Sequence, residues 1–395
     1  MFPTLGHLFN SLFGTDIIFP LPTYGFMLAM AFFVGFLVVR HELKRKEKLG
    51  LIPVTSRKVL KGKPASTSEL ITSMFFGFII GFKIIGIIVS YDVFVKDVQG
   101  YILSLQGNII GGVFIAGLFA AVNWWTLHKK RLDEPVEEEE EVRPHQLTVN
   151  ILLIAAVSGI IGAKIFHQLE NFDQFLRDPV GSLFSAGGLT FYGGLIFGVV
   201  AVLWYIKKKK IPWIHMLDVA APAVMIAYAV GRIGCMTSGD GCWGIENTTP
   251  KPEWLAFLPD WMWAFDFPYN VINQGVEIPG CEVHGGYCRV LEQPVFPTPF
   301  YETTISTIFF GVLWFLRKRI AVHGLLFSIF LMMNGVERFF IEKIRVNTNY
   351  IIGGVEITQA EIISVVLFLI GVFTAFLFIK RHRKKKSEKE NNVAV

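Results

Sequence analysis

Nine apolar stretches of about 20 residues dominate the chain, at about 18–39, 69–93, 108–128, 148–169, 186–206, 213–231, 300–316, 322–341 and 360–380. A helix of that length crosses the hydrocarbon core of a bilayer with its backbone satisfied internally. The pattern predicts an all-α polytopic membrane protein with about nine transmembrane helices. Composition agrees: only 17% of the 395 residues are charged, against roughly a quarter in a soluble domain.

The net charge of +5 is not a nucleic-acid signal, because the basic residues sit in particular loops. Nine Lys or Arg fall between Arg40 and Lys63, and further clusters follow at 129–131, 207–210 and 317–319 and in the tail KRHRKKK. Residues 1–39 hold none, 95–107 only Lys96 and 171–185 only Arg177. The positive-inside rule then puts the N-terminus outside and the C-terminus in the cytoplasm. With no basic n-region, the first apolar run reads as a span and not as a cleaved leader. The acidic run DEPVEEEEEVRP reads as a solvated, flexible cytoplasmic linker.

All four cysteines, Cys235, Cys242, Cys281 and Cys288, lie in the segment 232–299, which this topology places outside. An even count on an oxidising face suggests two disulfides, with the pairing open. A metal site built from these thiols and His284 is the weaker reading, because the C-x6-C spacings match no standard zinc pattern.

Residues 81–120 lie over residues 162–201 without a gap. Gly81, Lys83, Ile84, Phe94, Asp97, Gly100, Gly107 and Gly112 match Gly162, Lys164, Ile165, Phe175, Asp178, Gly181, Gly188 and Gly193. A duplicated two-helix unit is expected, with the copies parallel and not inverted. The second copy contains GGLTFYGGLIFG (187–198), in which Tyr192 is polar where the first copy is apolar. Bare glycines there let a head group or a neighbouring helix approach the backbone.

Polar residues gather where the spans meet the outer face: Tyr24, Tyr192, Arg232, Tyr301 and Glu302, then Glu337, Arg338, Glu342 and Arg345. A transporter would carry such groups nearer the midplane. Arg338 and Glu342 are one helical turn apart on one face. Arg232 and Arg338 at one depth make a clamp for a lipid phosphate, since guanidinium binds phosphate bidentately. Asp218, Lys164, His167 and His215 read as structural partners.

Four of these segments together resemble the prolipoprotein diacylglyceryl transferases. AYAVGRIGCMTSGDGCWG is similar to that family's Gly-Arg-x-Gly-Asn signature, GGLTFYGGLIFG to its His-Gly-Gly segment, PTPFYE to its His-Pro-Ser/Thr-Gln-Leu-Tyr-Glu, and ERFFIEKIR to its Arg-x-x-x-Glu-x-x-Arg. The resemblance implies a seven-helix core plus a duplicated helix pair. Residues 1–40 form the external N-terminal segment and first span. Residues 41–147 hold the extra pair and its linkers, 148–380 the transferase-like core with the external loop 232–299, and 381–395 a basic cytoplasmic tail. It also implies the reaction. The diacylglyceryl group of phosphatidylglycerol passes to the lipobox cysteine thiol of a prolipoprotein at the bacterial inner membrane, forming a thioether and releasing glycerol phosphate. The partners are phosphatidylglycerol, the prolipoprotein and membrane lipid; no cofactor, metal or nucleic acid is implied.

Carried onto this chain, Arg232, Arg338, Tyr192, Glu302 and Glu342 become the catalytic candidates. Tyr24, Arg232, Gly193, Gly194, Gly244, Tyr301, Arg338 and Arg345 become the phosphatidylglycerol-binding candidates. The chain departs from the family at Tyr192 and Phe296, where histidines stand, at Pro299, where a glutamine stands, and at Cys235, where an asparagine stands. With both histidines gone, Glu302 or Glu342 is left to take the thiol proton, or the thiol ionises beside the arginines. The alternatives are a relative that uses phosphatidylglycerol with another acceptor, and a non-catalytic lipid-binding or transport protein.

Overall fold

The structure, a computed structural model, describes residues 1–16, 19–96, 98–133, 136–184, 190–281, 286–347, 349–352 and 355–393. In chain order the elements are α1 (Leu5–Phe13), α2 (Thr23–Lys48), β1 (Thr55–Lys61), α3 (Thr67–Val89), α4 (Tyr91–Lys96), α5 (Val98–Leu103), α6 (Ile109–Lys129) and β2 (Val136–Val142). They continue with α7 (Thr148–Glu170), α8 (Phe172–Arg177), α9 (Pro179–Phe184), α10 (Phe191–Lys208), α11 (Trp213–Ser238), β3 (Val276–Glu277) and β4 (Arg289–Val290). The chain closes with α12 (Thr298–Leu316), α13 (Leu325–Glu342), β5 (Asn349–Ile352), β6 (Val355–Thr358) and α14 (Gln359–Val393). Among the described residues, each of the nine apolar runs overlaps a helix. Six helices among the described residues are long and apolar enough to cross a membrane: α2, α3, α6, α11, α14 and the helix that includes α7.

The chain divides into two compact units, one of residues 1–53, 144–152 and 206–395, the other of residues 54–143 and 153–205. Residues 153–205 group with the extra helix pair.

The second unit shows the duplication element by element. Helices α3, α4 and α5 recur 81 residues later as α7, α8 and α9, whereas α6 recurs 82 residues later as α10. Lys83 Nζ donates to the Tyr101 carbonyl at 2.8 Å, and Lys164 Nζ reaches the equivalent Ser182 carbonyl at 3.5 Å. The backbone N–H of Asn108 donates to Phe82 O, and that of Thr190 to Ala163 O. The ungapped alignment thus slips by one residue before the last helix of the hairpin. Gly111 and Gly112 correspond to Gly193 and Gly194, and Tyr192 corresponds to Ile110.

The acidic run is not a flexible linker. Its residues 136–142 form β2, paired antiparallel with the basic strand β1 so that Lys58 faces Glu139 and Arg57 faces Glu140. Lys61–Glu138 at 2.5 Å and Lys58–Glu137 at 3.4 Å are both more than half exposed. Each contributes little by itself; the ladder hydrogen bonds and the alignment of opposite charges set the register.

In the first unit α2 packs on α11, α11 on α12, and α13 on α14. Ala221, Met225, Leu313, Leu326 and Phe330 form the buried core. A Cβ on Gly335 would lie 2.6 Å from Ser364 O, so α13 and α14 touch backbone to backbone there. At the end of the bundle that carries Lys46, two buried carboxylates are paired. Glu42 takes Arg317 Nε at 2.7 Å and Arg45 at 2.7 Å. Asp218 takes Lys46 at 3.3 Å and accepts from the N–H of Gly324 at 2.9 Å and of Phe327 at 3.3 Å. Asp218 therefore caps α13, whose Gly324 N-cap has no side chain to do so.

In the segment 232–299, expected as an external loop, the described residues after α11 form a small folded layer. Trp243, Phe267, Leu291 and Val295 make its core. The fully buried Asn270 ties the layer through hydrogen bonds to Phe267 O, Gln274 O and Arg289 O. Cys281 and Cys288 form a disulfide beside β3 and β4. The second expected disulfide is not formed: Cys235 and Cys242 are free thiols. His284 lies outside the described residues, as do the first three residues of GGLTFYGGLIFG.

Candidate active site

The last turns of α11 and α13 and the first turn of α12 converge on one carboxylate. Glu302 is fully buried. Its Oε2 lies 3.0 Å from Arg232 Nε, and its Oε1 lies 3.3 Å from Arg345 Nη1 and 3.6 Å from Arg338 Nη1. Tyr228 donates its hydroxyl to Oε1 at 3.0 Å. Arg338 Nη2 turns back one helical turn to Glu342 Oε2 at 2.8 Å. Asn347 Nδ2 donates to the other oxygen of Glu342, so that carboxylate too is held at both ends.

Three guanidiniums thus face two carboxylates. Each guanidinium has five N–H donors, so two carboxylates and a phenol leave many unused. The Arg338 side chain is 27% exposed and those of Arg232 and Arg345 15%. Each arginine is anchored by a carboxylate and keeps part of its fork open. That is the arrangement needed to bind an oxyanion without moving side chains when charge develops. Arg232 also sits over the Tyr228 ring, 5.0 Å from its centroid.

The local sequence explains the convergence. Pro299 falls in the first turn of α12, where a missing N–H costs nothing, and places Glu302 one turn into the helix. Gly244 pairs with Arg345 across an isolated bridge, and its N–H donates to Phe296 O at 2.9 Å. A Cβ at 244 would collide with Ile344 O and come within 2.9 Å of the Phe296 Cβ. Gly244 is therefore the bare point where the end of α13 docks beside the start of α12, and its role is to place Arg345. Tyr301 donates its hydroxyl to Met262 O at 2.9 Å and to Trp263 O at 3.3 Å, which ties the folded layer to α12. Tyr24 is 43% exposed, and a Cβ on Gly234 would lie 3.4 Å from its ring, so glycine there lets the Tyr24 ring lie against α11 two residues from Arg232.

Gly193 and Gly194 do not keep a bare face for a lipid. A Cβ on Gly193 would strike Gly162 O and the Phe166 Cβ, and one on Gly194 would lie 3.0 Å from Gly159 O. The close approach they allow is that of α7, and it is the same crossing that Gly81 and Gly111 make in the first copy. Tyr192 stands in the same unit as these glycines, and the arginine cluster stands in the other.

Two further residues belong to the cluster. Tyr228 lies one turn before Arg232, and that i, i+4 spacing was the available signal. Glu337, next to Arg338, is buried, and its Oε1 has no hydrogen-bond partner. Beside the cluster, Cys242 is drawn down to about 7, chiefly by its hydrogen bond with Cys235 and against burial.

A helical bundle that spans a membrane and gathers arginines around a buried glutamate defines a multi-pass membrane protein with an oxyanion-type site. The family model for prolipoprotein diacylglyceryl transferase matches residues 120–377, well over half of the chain. The chain belongs to that family. Among curated relatives, the phosphatidylglycerol–prolipoprotein diacylglyceryl transferase of Corynebacterium glutamicum (strain R) is 29% identical over 279 residues, covering 69% of this chain and 79% of the relative. The enzyme of that name from Clostridium botulinum (strain Hall) is 29% identical over 238 residues, 60% of this chain and 82% of the relative. That of Leptospira interrogans is 27% identical over 294 residues, 62% and 81%.

Proposed function

We infer that this protein transfers the diacylglyceryl group of phosphatidylglycerol to the cysteine thiol of a prolipoprotein. The observation that carries the reading is Glu302 held by Arg232, Arg338 and Arg345. The open edges of these guanidiniums bind the phosphodiester of the lipid. The acceptor sulfur, as thiolate, attacks the glyceryl carbon that bears the phosphate oxygen. A carbon–sulfur bond forms, the carbon–oxygen bond breaks, and glycerol phosphate leaves with the electron pair. Charge builds on the departing oxygen, where preorganised guanidiniums lower the barrier most.

The thiol proton goes to Glu337. Glu302 and Glu342 are committed to the guanidiniums through ion pairs with Arg232 and Arg338, although Glu302 Oε2 and Glu342 Oε2 accept no well-aligned hydrogen bond. The Oε1 of Glu337 is buried and unpartnered, which leaves a lone pair for a proton. Tyr192 stands at the position where the family resemblance implies a histidine, and no proton transfer is assigned to it. The basic loops put the N-terminus outside and the C-terminus in the cytoplasm of the bacterial inner membrane. Reporter fusions at residues 20 and 390 test that topology, and activity of a periplasmic reporter at 390 overturns it.

The departures at Tyr192, Phe296 and Pro299 favour one second reading, the same lipid donor with a different acceptor. Labelled phosphatidylglycerol mixed with purified protein and a lipobox peptide separates the two. Diacylglyceryl mass on the peptide supports the first reading; release of glycerol phosphate with an unmodified peptide supports the second.

A further inference from the structure

Cys235 lies in the last turn of α11 and Cys242 just beyond it. Two glycines in the left-handed region, Gly239 at φ +65° and Gly241 at φ +86°, fold the chain back over that turn. The turn brings Asp240 to the two thiols. One sulfur from each cysteine and one oxygen of Asp240 all lie within 4.8 Å of one another. In a tetrahedral site with sulfurs about 2.3 Å from the ion, ligand atoms stand about 3.8 Å apart, so a rotamer adjustment closes the set. The order Cys-x4-Asp-x-Cys is invisible to a search for paired C-x-x-C motifs, because the third donor is a carboxylate inside the turn.

The surroundings suit a cation. Asp240 Oδ1 accepts from the Cys242 N–H at 3.2 Å, which orients the carboxylate. Arg232 Nη1 donates to Cys235 Sγ at 3.8 Å, the outer-shell contact that commonly orients a ligand atom. Two thiolates and a carboxylate around a divalent ion leave a net charge of −1, and the Arg232 guanidinium beside Cys235 offsets it. The Thr298 hydroxyl donates to the Cys242 carbonyl at 2.8 Å, so the turn is tied to α12 one helical turn before Glu302. The other two cysteines already form their disulfide.

We propose that Cys235, Asp240 and Cys242 bind a thiophilic divalent cation of the Zn²⁺ class, with the fourth tetrahedral position left to an exogenous ligand. The ion holds the turn that follows Arg232, and so couples the end of α11 to the start of α12 next to the arginine cluster. Donor chemistry favours zinc over calcium or magnesium, which take oxygen ligands.

The experiment uses the full chain purified in detergent without reductant or chelator. Metal analysis is expected to find one zinc per chain. Exchange with Co²⁺ is expected to give an intense sulfur-to-metal absorption in the near ultraviolet. Cys242→Ala and Asp240→Asn are expected to weaken Co²⁺ binding at least tenfold, while the double variant Cys281→Ser/Cys288→Ser keeps it. A wild-type measurement stands if those variants do not fold: two thiols should resist alkylation until a chelator is added. A Cys235–Cys242 disulfide found by peptide mapping, or substoichiometric metal with freely alkylated thiols, overturns the proposal. No lipid or peptide substrate enters these measurements, so their failure leaves the transferase reading untouched.

Discussion

Glu302 Oε2 and Arg232 Nε stand 3.0 Å apart, joining the first turn of α12 to the last turns of α11. The Glu302 carboxylate is fully buried and also serves Arg338 and Arg345. It is a hub: its work is to fix three cations in one place. Replacing it removes their common anchor and leaves like charges together. Breaking a buried pair costs about 3–5 kcal/mol. Glu302→Gln should therefore melt earlier in detergent and lose transfer activity together. A variant as stable and as active as the wild type would remove Glu302 from the centre of the site.

Arg232→Lys and Arg338→Lys keep the charge and lose the planar fork. Removing one preorganised donor to a developing oxyanion costs about 10²–10³ in rate. Steady-state transfer rates should fall by that order in each variant. Arg177→Ala, in the exposed helix α8, should leave the rate unchanged. Equal losses in all three would mean that the arginines act only by stabilising the fold.

A general base contributes roughly 10²–10⁴ in rate. Glu337→Gln keeps the shape of the side chain and removes the proton acceptor. The rate should drop within that range while phosphatidylglycerol binding persists, and the fall in rate on the acid side of the pH profile should disappear. A full rate with an unchanged profile would show that the proton goes elsewhere.

Gly193 and Gly162 pack against each other's backbones. Gly193→Ala forces the helices apart, at about 1–3 kcal/mol for an overpacked contact. The yield and melting temperature of the folded protein should fall, and Gly81→Ala in the first copy should do the same. Tyr192→His, one residue earlier, restores the family's residue and should keep or raise activity, whereas Tyr192→Ala should lower it. If Gly193→Ala lowers lipid affinity with no change in stability, the glycine faces the lipid after all.

The helices were legible because a run of about 20 apolar residues has few other ways to be satisfied. The arginine cluster was legible as well: Arg232, Glu302, Arg338 and Arg345 are charges in apolar surroundings, where each requires a partner. Sequence spacing does not show which atom each one meets. At Gly193 and Gly194 the need for close approach shows in the sequence, and whether a head group or a neighbouring helix approaches does not. The one-residue slip between α6 and α10 was hidden because apolar helices with glycines every few residues align nearly as well at either offset. The pairing of β1 with β2 was missed because period-two alternation is absent where both faces of a ribbon are charged. The fate of the cysteines depends on distances across a turn, which a count cannot supply.

The most direct test of the central claim is transfer itself. Purified wild-type protein, phosphatidylglycerol labelled in its glyceryl and acyl portions, and a lipobox peptide are incubated together and the peptide is weighed. The expected result is one diacylglyceryl addition on the cysteine, stoichiometric with glycerol phosphate released, absent from a peptide with serine at that position and absent with Arg232→Ala. A peptide that remains unmodified while a family member run alongside modifies it would contradict the assignment.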